Sequence, residues 1–216
     1  MKVKIGKYDH DKKELIISAS LLVKGLYEID KIIINGSAFY SLSQTSEECE
    51  DKHNKIVESL SSSIGMLEGI LRQYSPTYKI LSTNTFYLRC VDISYILGKL
   101  DVKNIKKLTL CGTPDLVLEV RSKELKYKIP VEIKLESIFN KNKNKTIAQL
   151  QTYSFIFATD AFGLIFSLYE QPKLKEVIHI SYDFKVQKTV EKLVIELIKK
   201  LKIPGAGFEP AASRFL

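Results

Sequence analysis

Three side chains, Asp115, Glu132 and Lys134, have the types and spacing that hydrolysis of a phosphodiester requires. Glu132 and Lys134 stand two apart in Tyr127–Leu135, a run that reads as a β-strand, so they project from the same face. Ile129, Val131, Ile133 and Leu135 take the opposite face and anchor that strand in a core. Asp115 opens the preceding strand, just after a Gly112-Thr113-Pro114 turn. A scissile phosphate is anionic and repels hydroxide; one or two divalent cations offset this, activate a water and stabilise the leaving oxygen. Magnesium or manganese takes oxygen ligands and keeps several waters, so two carboxylates and one backbone carbonyl, that of Ile133, suffice. A neighbouring lysine holds the attacking water or the developing charge.

An acidic residue two positions before a lysine is not itself the signal. The same spacing occurs at Asp11 and Lys13, Glu50 and Lys52, Asp101 and Lys103, Glu124 and Lys126, and Asp183 and Lys185. Only Glu132-Ile133-Lys134 lies inside an apolar strand, after a Pro-Asp turn and before an amphipathic helix.

The elements that must position these groups follow from hydrophobic periodicity. Lys107–Cys111 reads as a short strand. Asp115–Arg121 and Tyr127–Leu135 read as a hairpin joined by Ser122–Glu124. Asn140–Lys145 reads as a Lys/Asn loop, Thr146–Ala158 as a helix, Ala161–Leu168 and Glu176–Tyr182 as strands, and Phe184–Lys202 as an amphipathic helix. Upstream, Ile56, Leu60, Ile64, Leu67 and Leu71 predict one helix over Asp51–Tyr74, ended by Ser75-Pro76. Tyr78–Arg89 reads as a strand and Asp92–Leu100 as a short helix. In the first part, Leu15–Leu22 fits a strand or a helix start, Asn35-Gly36 marks a turn, and Ser41–Glu50 reads as a loop. Residues 1–50 are therefore expected to be a decoration of uncertain structure, 51–203 the core, and 204–216 a mobile tail.

Three stretches in order carry a family resemblance: Gly112-Thr113-Pro114-Asp115-Leu116-Val117-Leu118-Glu119, then Ile129-Pro130-Val131-Glu132-Ile133-Lys134, then Gln149-Leu150-Gln151-Thr152-Tyr153. Together they resemble the core of the PD-(D/E)XK nuclease superfamily, in its RecB-like branch, whose helix after the lysine carries a Q-x-x-x-Y motif. Gln149 and Tyr153, four apart, lie on one side of that helix. The resemblance covers about residues 105–170. It implies an α/β fold with a restriction-endonuclease-like core, a central mixed β-sheet flanked by helices. It also implies a metal-dependent nuclease acting on DNA with Mg2+ or Mn2+, in which Gln149 and Tyr153 orient the lysine or the phosphate. Such families place a further acidic or histidine ligand on the helix before the sheet. Glu68 is the choice here, with Glu58, Asp51 and, if the branch uses histidine, His53 as alternatives. Relatives with an iron–sulfur cluster need four placed cysteines; this chain has three, so no cluster is expected. A non-cleaving nucleic-acid-binding protein on the same fold is the competing expectation.

Composition sets the frame. The 216 residues carry 33 Lys and Arg against 25 Asp and Glu, a net charge of +8, which favours a polyanionic partner. Lys141, Lys143 and Lys145, just past the Glu132–Lys134 strand, are candidate contacts to a nucleic-acid backbone. Cys49, Cys90 and Cys111 are far apart with no C-x-x-C spacing, which argues against a zinc finger or a disulfide framework and suits a reducing, cytoplasmic setting. No apolar run reaches spanning length, so no membrane association is expected, while a homodimer stays open. Gly205–Arg214 resembles the chance translation of a transfer-RNA gene, as in a gene ending over the integration site of a mobile element such as an archaeal virus.

Overall fold

The computed structural model describes residues 2–42, 47–100, 102, 104–167 and 172–201. Residues 204–216, expected to be a tail, lie outside the described residues. The chain is α/β and divides into two compact units. One comprises Met1–Leu42, Cys90–Cys111 and the chain from Glu191. The other comprises Ser43–Arg89 and Gly112–Val190.

The first unit is built on a six-stranded sheet. Its strands are β1 (Lys2–Asp9), β2 (Glu14–Ser18), β3 (Ile32–Asn35), β4 (Ala38–Leu42), β6 (Arg89–Asp92) and β7 (Lys107–Gly112), in spatial order β3-β4-β1-β2-β7-β6. Residues 1–50, expected to be a decoration of uncertain structure, supply four strands of this sheet, β1 to β4. Leu15–Leu22 is both things its composition allowed. Leu15 and Ile17 point inward from β2, and Ser18 then starts α1 (Ala19–Tyr27), its side chain accepting from the Leu21 N–H at 2.9 Å. Asn35-Gly36 makes the β3–β4 turn, with Gly36 at φ +56. β2 runs parallel to β7, pairing Leu15 with Leu108 and Ile17 with Leu110. A pairing across about ninety residues leaves no local signal. Cys90 and Cys111 form a disulfide between β6 and β7, which corrects the reading of three unpaired thiols.

The second unit holds the sheet that carries Glu132 and Lys134. Its order is β11-β10-β9-β8-β5, from β5 (Lys79–Asn84), β8 (Leu116–Ser122), β9 (Leu125–Leu135), β10 (Ala161–Ser167) and β11 (Lys173–Ile180). Only β9 and β10 are parallel, so the sheet is mixed. The expected hairpin is present, with Lys123 at φ +55 in its turn. Ile129, Val131, Ile133 and Leu135 are buried on one face with Leu116, Leu118 and Val120. Above them lie α2 (Glu47–Ser61) and α3 (Ile64–Arg72), through Ile56, Leu60, Leu67 and Leu71. The single helix expected over Asp51–Tyr74 is therefore two. The break falls at Ser62 and Ser63, after Ser61, where hydroxyls bond backwards to the carbonyls of Glu58 and Ser59 and compete with the helix ladder.

The other face is covered by α4 (Glu136–Phe157), the crossover between parallel β9 and β10. The expected Asn140–Lys145 loop is part of this helix. Asn142 is its one non-helical residue, at φ −135, and its side chain donates to the Ile138 carbonyl at 3.1 Å. Phe139 and Thr146 are buried on either side, so packing holds helical a stretch whose asparagines favour turns. The last element is α5 (Phe184–Lys200). Among the described residues no helix is long and apolar enough to cross a membrane.

Candidate active site

The site exists because β9 is longer than its partner. β8 begins at Leu116, opposite Val131, while β9 runs on to Leu135. The hairpin register would set Ile133 against Pro114, which has no N–H and lies outside the strand. Both main-chain groups of Ile133 are left facing the turn. Side chains complete the missing bonds. The Ile133 N–H donates to Asp115 Oδ2 at 2.7 Å. His53, from α2, sets Nε2 3.2 Å from the Ile133 carbonyl and 3.2 Å from Asp115 Oδ2. Both partners accept, so Nε2 carries the proton.

Glu132 and Lys134 lie one residue either side, on the face under α4. Glu132 is 3% exposed. Its Oε1 accepts from Lys134 Nζ and, at 2.8 Å, from Gln149 Nε2. Its Oε2 is buried with no hydrogen-bond partner. An unpartnered carboxylate oxygen costs several times more than a paired one, so its presence needs a reason.

α4 delivers Gln149 and Tyr153 by close approach to the backbone. Gly163 is paired with Glu132 across β9 and β10. A Cβ there would meet Leu150 Cδ1 at 2.8 Å, so the end of the Leu150 side chain uses the space that a larger residue would fill. Gly112 does the same at the other contact, where a Cβ would meet Tyr153 Cδ1 and Ile156 Cδ1 at 2.9 Å. Gln149 donates to Tyr153 Oη at 3.0 Å, and the tyrosine hydroxyl donates to the Thr113 carbonyl at 3.2 Å. A chain of bonds thus runs from the turn before Asp115 through Tyr153 and Gln149 to Glu132.

The electrostatics follow from two carboxylates and one ammonium under one helix. Burial and the Asp115 charge push Glu132 up to about 7. Asp115 feels burial in the same sense, yet the His53 hydrogen bond and the Lys134 charge win and hold it below its ordinary value. Burial works against the Lys134 ammonium, but Glu132 and Asp115 keep it above its ordinary value. The Asp115 hydrogen bond raises His53 against the opposing effect of burial. Burial and the Glu132 charge raise Tyr153 well above its usual range, so it acts as a neutral donor.

Asp115, Glu132, the Ile133 carbonyl, Lys134, Gln149 and Tyr153 are thus brought together. Glu68 is not. It sits on α3, accepts from the Ile80 N–H at 2.8 Å and pairs with Arg72 at 3.1 Å, so it ties α3 to the edge strand. The helix residue at the site is His53, one of the open alternatives. The Ser61-Ser62-Ser63 run was the available signal, because a break there takes Glu68 off the helix that faces Asp115. Lys141, Lys143 and Lys145 do not form a basic loop. On a helix, a spacing of two turns Lys143 away from Lys145, and Lys143 lies over the Phe139 ring at 5.7 Å.

The donor set of an imidazole, two carboxylates and a carbonyl fits a divalent cation. The partnerless Glu132 Oε2 is an acceptor that a cation would satisfy. In the arrangement described, Glu132 is turned to Lys134 and Gln149 and His53 to Asp115. Among the described residues no three His, Cys, Asp or Glu side chains are already gathered to hold an ion.

No family model matches the chain, and no curated protein does. A solved structure named as the crystal structure of SSO0001 is similar over 85% of this chain and 75% of that one, with a TM-score of 0.44 and 16% sequence identity. That likeness is too distant to carry an argument, so the family of this chain rests on no comparison.

Proposed function

We propose that this protein is a metal-dependent nuclease that hydrolyses phosphodiester bonds of DNA, with a site of the PD-(D/E)XK type. The observation that carries the reading is the gathering of Asp115, Glu132, Lys134 and His53 around the overrunning end of β9, with one Glu132 oxygen left without a partner. His53 Nε2, Asp115, Glu132 and the Ile133 carbonyl would hold the cation. Bound there, it would lower the pKa of a water and offset phosphate charge. A nitrogen donor among the oxygens shifts the preference from Mg2+ toward Mn2+.

The chain's own groups divide the remaining work. To become a ligand His53 would shed its Nε2 proton, and Glu132 would lose the proton that burial favours; both changes would leave the site more anionic and ready for a cation. Lys134, kept charged by the two carboxylates, would hold the lone pair of an attacking water or the developing negative charge. Gln149 fixes the Glu132 carboxylate, and Tyr153 fixes Gln149.

The test is cleavage of labelled single strands, duplexes, flaps and four-way junctions with Mn2+ or Mg2+, comparing wild type with Asp115→Ala and His53→Ala. Metal-dependent cutting that is lost in Asp115→Ala, and is weaker in His53→Ala with Mn2+, is the expected result. A folded wild type that cuts none of these substrates sinks the reading. The competing one is a nucleic-acid-binding protein on this fold that does not cut. It predicts binding that Glu132→Ala leaves unchanged and no cutting by either form.

A further inference from the structure

The second unit has another concave surface, at the hairpin end of β8 and β9. This cavity, of about 440 Å³, is lined by Tyr87, Arg89, Lys126, Lys128 and Phe157, with one carboxylate, Glu119. Cations and aromatic rings are interleaved in it. The Arg89 guanidinium lies 5.4 Å from the Phe157 ring centroid, and Lys128 Nζ lies 4.4 Å from that of Tyr87 while donating to its hydroxyl at 2.8 Å. Glu119 is engaged by Ser82 at 3.3 Å, so three cations face one carboxylate that already has a partner.

The segment entering this cavity is displayed in a way the fold does not require. Phe86 is 91% exposed, with a left-handed backbone at φ +63, and Leu88 beside it is 62% exposed. A bulky residue at positive φ carries strain, and an exposed phenyl ring returns no burial for it. Such strain is explained by a partner that covers the ring.

We infer that this cavity and the Phe86 ring bind single-stranded nucleic acid, an unstacked base lying against Phe86 and Tyr87 and the phosphates lying along Arg89, Lys126 and Lys128. Rings beside cations suit a single strand, because every base has a face to stack and the backbone is a line of negative charge. In a duplex those faces are already stacked within the helix. The cavity is within the size range of small-ligand sites, enough for one splayed nucleotide. Lys126 and Lys128 project from β9 on the same side as Glu132 and Lys134. Lys128 and Glu132 are four residues apart, about 13 Å along the strand. The inference rests on the nuclease reading for its meaning, as the place that holds the single-stranded part of a substrate, and it is tested apart from it.

The test is equilibrium binding by fluorescence anisotropy, in EDTA so that nothing is cut. The probe is a short labelled oligothymidylate, alongside a duplex of equal length. The wild type is compared with Phe86→Ala/Lys126→Glu, both exposed positions, and with Lys192→Glu, a charge reversal on α5. The expected result is a single-strand affinity at least about tenfold weaker in the double variant. Lys192→Glu should change it by less than about threefold, and the wild type should prefer the single strand to the duplex. Equal binding by wild type and double variant overturns the inference, as does no binding by the wild type or a preference for duplex. Cutting by the wild type with Mn2+ is measured separately. Weaker binding in the double variant without any cutting by the wild type would end the nuclease reading and leave this site standing. Cutting with unaltered binding would do the reverse.

Discussion

The two units each bury a glutamate that holds a lysine. Glu191, in the first, is 8% exposed; its Oε1 accepts from the Tyr95 hydroxyl at 2.8 Å and its Oε2 from Lys99 at 2.7 Å. Both oxygens are answered. Glu132, in the second, crowds Lys134 and Gln149 onto one oxygen and leaves the other with nothing. Glu132 also shares its surroundings with a second carboxylate, Asp115, whose charge raises it. A buried charge whose hydrogen bonds are complete holds elements together; one left incomplete is a place where the protein expects something else. The two lysines differ likewise: Lys99 is half in solvent, while Lys134 is mostly covered.

The comparison breaks first on activity. Glu132→Ala should slow metal-dependent cleavage by on the order of a thousandfold, measured in single-turnover assays on the preferred substrate. Glu191→Ala should leave the rate within about twofold while lowering the melting temperature. Equal losses in the two variants would erase the distinction.

Stability gives the next largest effect. The Cys90–Cys111 disulfide closes a loop of 21 residues in the first unit. Cys90→Ser should lower unfolding free energy by about 3 kcal/mol in denaturant titrations, with cleavage unchanged. An unaltered midpoint would mean that the β6–β7 join does not depend on the bond.

A pH series sharpens the contrast. Glu132 keeps its proton up to about 7 in the fold, against 4.5 ordinarily. The metal-free native state therefore binds more protons than the unfolded chain between those values. The stability this gives is complete below pH 4.5 and is lost as pH rises through about 7. His53, also held above its ordinary value, adds a loss of the same sign. Metal-free wild type should thus melt lower at pH 8 than at pH 5.5, with Glu132 contributing about 2 kcal/mol. Glu132→Gln, which cannot ionise, should show a smaller difference, and Mn2+ should recover the wild type at pH 8. Parallel curves for wild type and variant would show that Glu132 is ordinary.

The smallest effect is expected at Tyr153. Tyr153→Phe removes the hydroxyl that accepts from Gln149 and donates to Thr113, but keeps the ring against Gly112. Cleavage should slow by about tenfold with little change in stability. An unchanged rate would mean that Glu132 is oriented without the chain of bonds to the turn.

How far the sequence reveals this follows from the range of each interaction. The β8–β9 hairpin is legible because large apolar residues recur at every second position, Leu116, Leu118 and Val120 and then Ile129 to Leu135, a period that needs no distant information. Gln149 and Tyr153 are legible because their contact is one helical turn. The choice between Glu68 and His53 turned on a helix break, where three serines weigh only slightly against a continuous apolar stripe. The Asn140–Lys145 stretch misleads because burial of Phe139 and Thr146 overrides local propensity. The first unit is the least legible. Its β2–β7 pairing and its disulfide join segments that carry no mark of each other, so Cys90 and Cys111 read as isolated thiols.

Gly163 has a consequence for how such a protein could drift or be tuned. It bears no functional group, yet its missing side chain leaves room for Leu150 of α4 beside the strand position paired with Glu132. A single methyl there would press on the end of the Leu150 side chain, the neighbour in α4 of Gln149, which holds Glu132. Every polar side chain of the site would remain, while the packing beside Gln149 changed. If the site cuts as proposed, its activity could then be tuned through a residue that contributes no atom to it, and a survey confined to polar positions would miss that residue.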